Sequence, residues 1–298
     1  MLFSMTKSLE KHHRIKRLIN LIAACILAAP IFTQAQETLR VGLEPLPPLI
    51  REDGSGQSVE WLRALAKQAN MRLHVSIMPY SRAKLALMAG DVDLIGHTPF
   101  GLETERFYDY AIELDYRVPT RMDVFSPDPD DLEPEAARRI LIGTPFGNSA
   151  FISELTGLDR DCFVEGSLPR VVNMMLAGRV NAVIFERMSV VSQIRKQTTK
   201  PVYYRLVKQI DAGFAVRRAE TALIERLNNA ARKVDSQAIY APYINLLDGP
   251  DSGTITPGTT DASGQPLPQP DTADHQQDSP QYPEEDRRLR LEHVVMEP

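Results

Sequence analysis

No apolar run in this 298-residue chain is long enough to cross a bilayer comfortably. The candidate, Leu18 to Phe32, is interrupted by Asn20 and Pro30, follows Lys7, Lys11, Arg14, Lys16 and Arg17, and ends in Thr33-Gln34-Ala35. That order of basic, apolar and small residues predicts a secretory signal over residues 1–35, cut before Gln36, and a periplasmic protein. Ile22-Ala23-Ala24-Cys25 also resembles a lipoprotein box, the alternative that would place a lipid on Cys25. Cysteine is nearly missing: apart from Cys25 there is only Cys162, so the mature chain has no intramolecular disulfide and Cys162 reads as a small buried hydrophobe. Of six histidines only His74 and His97 fall between residues 36 and 247, too few beside one cysteine for a zinc site, and neither metal nor cofactor is expected. A basic excess is missing too. With 34 Lys and Arg against 39 Asp and Glu, the chain has no electrostatic footprint for nucleic acid.

The charge is uneven. Residues 248–298 carry eleven acids against Arg287, Arg288 and Arg290, with eight prolines and almost no aliphatic clusters. Such a segment cannot bury enough apolar surface to offset its ordering entropy, and it reads as a disordered acidic tail. The segment 36–247 between signal and tail is close to neutral and long enough for two lobes.

Within it, Leu39 to Gly42 reads as a strand stopped by Pro45, Pro47 and Pro48. Leu62, Leu65, Ala66 and Ala69 recur at helical spacing, after which Met71, Leu73, Val75 and Ile77 alternate with Arg72, His74 and Ser76. Ser81 to Ala89 reads as a helix closed by Gly90, followed by a buried strand over Val92 to Ile95. That unit occurs twice. Leu87-Met88-Ala89-Gly90-Asp91-Val92-Asp93 is answered by Met175-Leu176-Ala177-Gly178-Arg179-Val180-Asn181, with the glycines 88 residues apart. Two similarly built α/β lobes follow, one continuous doubly wound sheet being the alternative. A strand at Arg121 to Phe125 leaves the first lobe, another at Ala212 to Val216 returns to it, and helices at 219–234 and 237–247 complete the segment. Lobe 1 then comprises 36–123 and 213–247, and lobe 2 comprises 124–212. Two crossings make a hinge, and the cleft beside it would hold a small ligand.

Leu39-Arg40-Val41-Gly42, Pro47-Pro48, Ala89 to Asp93, Glu105-Arg106 before Phe107, the Gly143 to Ser149 loop and Ala177 to Glu186 occur in an order that resembles the extracellular solute-binding proteins of family 3, the periplasmic components of polar amino-acid ABC uptake systems. The likeness runs over residues 38–247. It implies a two-lobed type II periplasmic-binding-protein fold and a set of cleft residues. Arg106 would take a ligand carboxylate as a planar fork, although Gly96 to Arg106 is longer than usual and Glu103 stands where the family has threonine. Thr98 stands in for the usual hydroxyl, and Glu44 resembles the cleft acid. Gly147-Asn148-Ser149 resembles a loop that receives an anion at a helix start, for which plain N-capping by Asn148 or Ser149 is the alternative. Glu186 falls where the family binds the ligand ammonium, or else is only a helix-start acid. Arg82 would be a second cleft cation, and Leu49 occupies the position of an aromatic that stacks on the ligand.

The reading that follows is a noncatalytic, monomeric, exported receptor that binds an amino acid or related carboxylate by lobe closure and hands it to an ABC permease in the inner membrane. The alternatives are an enzyme resembling cyclohexadienyl dehydratase on the same fold, and a ligand-sensing envelope protein.

Overall fold

The computed structural model describes residues 36–257. The signal segment 1–35, the possible lipid site at Cys25 and the tail from 258 onward lie outside the described residues.

Lobe 1 opens with β1 (Thr38–Leu43), α1 (Gln57–Gln68), β2 (Arg72–Ile77), α2 (Tyr80–Ala89) and β3 (Leu94–Pro99), β1 pairing in parallel with both β2 and β3. Helix α1 buries Val59, Trp61, Leu62, Leu65 and Ala66, one apolar stripe at helical spacing. Trp61 stacks on Tyr116 at 4.3 Å and on Phe214 at 5.1 Å, fixing the helix to the strands beneath it. The six-residue α3 (Glu105–Tyr110) then leads into β4 (Ala111–Ser126). Lobe 2 holds β5 (Ile142–Pro145), α4 (Ser149–Thr156), β6 (Phe163–Gly166), α5 (Leu168–Leu176), β7 (Ala182–Glu186) and α6 (Arg187–Gln197). The chain returns along β8 (Val202–Arg217) and adds α7 (Thr221–Ala231) and α8 (Ser236–Ile244) to lobe 1.

Hydrogen bonding runs continuously along β2-β1-β3-β8-β4-β7-β5-β6. The lobes are nonetheless distinct. Strand β3 pairs with Ala212 to Val216 of β8 and β7 with Met122 to Phe125 of β4, so among the described strands Pro119 to Arg121 and Gln209 to Asp211 pair only with each other, the Asp211 carbonyl also accepting the Phe100 N–H at 2.8 Å. The hinge is therefore a bare antiparallel ribbon in the middle of two 16-residue strands, longer than the two short crossing strands expected from the sequence.

The internal repeat has a physical basis. Gly90 and Gly178 both take positive φ, 81° and 69°, at the ends of α2 and α5. Three residues later Asp93 donates its N–H to the Arg40 carbonyl at 2.8 Å while its carboxylate accepts the Arg40 N–H at 2.8 Å. Asn181 makes the same exchange with Leu141 in lobe 2, at 2.8 and 3.3 Å. The acid or amide in each repeat locks the start of one strand against the chain entering the next.

The expected tail boundary at 248 is corrected. A ninth strand, β9 (Ser252–Ile255), pairs antiparallel with Val202 to Arg205, and Ile255 is buried. The linking segment is gripped by Arg121, only 4% exposed, which donates to the carbonyls of Gly249 at 3.0 Å and Pro250 at 3.3 Å and to the Asp251 carboxylate at 2.8 Å. Arg187 adds a bond to the Pro250 carbonyl, pairs with buried Asp123 and lies over the Tyr204 ring at 4.4 Å. The first ten residues of the expected tail thus belong to the fold, because two buried arginines need their carbonyls.

Candidate functional site

The C-terminal ends of β1, β3, β5 and β7 all open onto the interlobe cleft, where ligands of open α/β sheets bind. Past β1 the prolines bend the chain away and leave Glu44 buried at the lobe boundary. Its two carboxylate oxygens lie 3.4 and 3.3 Å from Nδ2 of Asn148, which comes from the β5–α4 loop of the opposite lobe and is 4% exposed. Burial pushes the Glu44 carboxyl up to about 8, a desolvation that the Asn148 bond and the Lys84 charge only partly offset.

Lys84, one turn after Tyr80 on α2, crosses the same boundary. Its Nζ donates to the Gly147 carbonyl at 2.9 Å, lies 3.4 Å from Glu103 and sits over the Tyr80 ring at 4.4 Å. Ser81 N–H donates to the Phe146 carbonyl at 3.3 Å. Gly147, at φ 87°, is so close that a Cβ there would lie 2.7 Å from the Ser81 nitrogen, so the contact requires glycine. Two further bonds join the lobes, from Ser189 Oγ to the Pro47 carbonyl at 3.0 Å and from Tyr243 Oη to Glu186 at 3.1 Å.

The cleft holds two cavities that meet at Glu44. On the hinge side is a central cavity of about 40 Å³, with Glu44, Thr98 and His97 on one wall and Asn148, Phe151 and Glu186 on the other. On the open side is an outer cavity of about 800 Å³ between Pro45, Pro47, Ile77 and Pro79 of lobe 1 and Pro145, Phe146, Leu168 and Pro169 of lobe 2. Glu44 borders both.

Four of the residues expected from the sequence, Glu44, Thr98, Asn148 and Glu186, meet around the central cavity. Thr98 donates to Glu113 at 2.8 Å. Glu186 begins α6 and accepts from the N–H groups of Met188 and Ser189 and from Ser189 Oγ as well as from Tyr243, while burial raises its carboxyl. This is the capping arrangement held open as its alternative. The Ser149 N–H at the start of α4 is taken by Glu165 at 3.0 Å, so the anion site expected there is filled by the protein's own carboxylate.

Arg82 and Arg106 are not in the cleft. Both are exposed and line neither cavity. The long connection after β3 ends in a helix too short to bury more than Phe107, which leaves Arg106 on the outside, while Glu103 turns inward to accept from Tyr80 Oη at 2.9 Å. Lys84 is the cation that the boundary holds instead. Its signal in the sequence was the four-residue step from Tyr80, which puts both side chains on one face of α2. Leu49, at the family's aromatic position, is fully buried in the core.

His97 lies at the central cavity with Nε2 2.6 Å from Ser58 Oγ, which also receives Tyr240 Oη at 3.2 Å. Burial pulls the imidazole down to about 4, so it is neutral. Ser58 is fully buried, which makes this a packed polar chain and not an accessible nucleophile. Among the described residues no group of three or more His, Cys, Asp or Glu is arranged to hold a metal ion.

No protein-family model matches the chain, and no curated protein sequence does. Solved structures do. A histidine kinase sensor domain with similarity to periplasmic binding proteins superposes with a TM-score of 0.58 at 18% identity, over 70% of this chain and 96% of the other. The substrate-binding protein of an amino-acid ABC transporter gives 0.56 at 16% identity, over 70% and 98%. The arginine-bound form of ArgBP from T. maritima gives 0.53 at 21% identity, over 66% and 95%. The fold is the two-lobed α/β fold of periplasmic binding proteins.

Proposed function

We propose that the chain is a noncatalytic, exported solute-binding protein of the envelope that captures a small amine-bearing zwitterion, an amino acid or a relative of one, between its lobes. The observation that carries this reading is Glu44: a buried carboxylate at the lobe boundary whose side-chain hydrogen-bond partner across the cleft, among the described residues, is a neutral amide. A ligand ammonium is a better complement than an amide, because it supplies the charge that burial has stripped from the carboxylate's surroundings. Binding to both lobes then selects the closed form. The likeness to binding proteins of amino-acid transport supports delivery to an ABC permease, and the leader-like segment 1–35 supports periplasmic export.

The test is a native mass spectrometry and calorimetry screen of the mature protein against amino acids and amines. Glu44→Gln should weaken the best hit by about 30-fold or more, the cost of leaving a ligand charge unpaired. Equal binding by the variant would remove Glu44 from the site. Because the Glu44 carboxyl stands at about 8, an ammonium can bind only as the acid loses its proton. Affinity should therefore rise roughly tenfold per pH unit up to that value, with close to one proton released. A buried acid held neutral is also what an elimination reaction needs, and a turned-over product in the same screen would replace this reading with the enzymatic one.

The likeness to a kinase sensor domain favours a second reading, in which the same capture step feeds a signalling partner. Reconstitution with a cognate permease separates the two, since only a transport component stimulates uptake.

A further inference from the structure

The two cavities differ by far more than the size of one solute. About 40 Å³ on the hinge side takes a few waters, whereas about 800 Å³ on the open side lies in the range of pockets that enclose drug-sized molecules. The Glu44 to Asn148 bond stands where they meet, Glu44 lining both cavities and Asn148 the central one. The outer walls are apolar and contributed by both lobes. Pro45, Pro47, Pro79, Pro145 and Pro169 have no N–H to offer a ligand, and Phe146 presents an aromatic ring that is 39% exposed. Such walls select by shape and apolar contact, and leave polar recognition to the ends. The closed end carries Glu44. At the rim lobe 1 presents Arg51 beside the acids Glu52 and Asp53, and lobe 2 presents the exposed cation Lys196.

We propose that the ligand is a short apolar peptide, a dipeptide or tripeptide, lying in the outer cavity with its free amino terminus on Glu44 and its carboxylate toward Lys196. A buried acid at the closed end of the slot and a cation on the lobe 2 side of its rim match the two termini of a zwitterion longer than a single amino acid. This rests on the solute-binding reading above and deepens it, by placing the body of the ligand away from the hinge.

The experiment is calorimetry on the mature protein with the common amino acids, dileucine, trileucine, N-acetyl-dileucine and phenethylamine. Dileucine or trileucine should bind about tenfold or more tighter than leucine. Acetylation, which removes the ammonium, should cost at least as much. Ser192→Trp should fill the outer cavity from α6 without touching the Glu44 to Asn148 contact, and so weaken the peptide about tenfold. Lys196→Glu is the milder second variant, expected to weaken the peptide while sparing phenethylamine, which has no carboxylate. If a single amino acid binds more tightly than both peptides, needs Glu44 and is indifferent to Ser192→Trp, the peptide proposal is overturned and the solute-binding reading stands. If neither amino acids nor peptides nor the amine bind, both fall together. Peptide binding that survives acetylation would overturn the orientation proposed here.

Discussion

Glu44 and His97 share the central cavity and respond to pH with opposite signs. The folded protein holds the Glu44 carboxyl at about 8, above its ordinary 4.5, so it binds a proton that the unfolded chain releases, and its contribution to stability is lost as pH rises through that interval. His97 is held at about 4, below its ordinary 6.5, so its contribution is lost as pH falls through the interval below 6.5. From about 4.5 to 6.5 the two oppose each other, and from 6.5 to 8 Glu44 acts without His97. Burial raises Glu186 and Asp123 as well, the same sign as Glu44. The melting temperature should therefore fall gently at mildly acid pH, where His97 offsets part of the loss, and go on falling between pH 6.5 and 8 without that offset, at up to roughly 1.4 kcal/mol per unit for one fully coupled proton. Glu44→Gln should flatten that fall, and a variant with the parent's slope would show that other groups set it. Glu44 was legible in the sequence as an acid at a strand end just before a run of prolines. Arg82 and Arg106 were read into the cleft and Lys84 was passed over, because which side of a short helix faces inward depends on what it packs against. Phe107 decides that for α3, and Tyr80 with Ala83 decides it for α2.

Among the elements, β9 is the one that composition concealed. Ser252-Gly253-Thr254-Ile255 sits in a stretch rich in Pro, Gly and Asp, and its strand character comes from the edge of β8 and not from its own residues. The helices and repeat strands were legible because their spacing is local. The length of β4 and β8 was not, since their middle residues are held by each other across ninety positions of sequence, as with Thr120 and Ile210. Cutting the chain after Leu247 takes the Gly249, Pro250 and Asp251 acceptors from Arg121, leaving it the Leu247 carbonyl at 3.4 Å, takes the Pro250 carbonyl from Arg187, and removes Ile255 from its buried place. Unsatisfied buried guanidinium donors and lost apolar burial together should cost about 3 kcal/mol or more, a drop of several degrees in melting temperature. A cut after Pro257 should leave the melting temperature unchanged. Thermal denaturation of the two truncations decides the matter, and equal melting temperatures would show that β9 contributes nothing. Gly90→Ala and Gly178→Ala should each cost about 1 kcal/mol in the same assay, since both positions have positive φ.

At the scale of the whole molecule, hydrogen bonds across the cleft hold lobe to lobe, Asn148 supplying a donor to Glu44 and Gly147 an acceptor to Lys84. Asn148→Ala removes the one side-chain donor that, among the described residues, reaches Glu44 across the cleft. It should shift the population toward an open form, seen as a larger radius of gyration by small-angle scattering, and the best ligand should restore compactness. An unchanged scattering curve would mean that the remaining bonds suffice. The two-lobed plan was readable from the duplicated glycine and its Asp or Asn partner, whereas the way the cleft is partitioned was not, because it depends on contacts between residues a hundred positions apart.

The segment from α8 to β9 adds a third link between the lobes, beside the ribbon of β4 and β8. Helix α8 is anchored to lobe 1 through Tyr240 and Ser58, and β9 to lobe 2 through β8. A two-stranded ribbon alone can both bend and swivel. A stay fixed on either side of it takes out the swivel and leaves the bend, as a strut beside a strip hinge turns a loose flap into a door. The angle of that door is then a single number, and any partner that touches both lobes can read occupancy from it without touching the ligand.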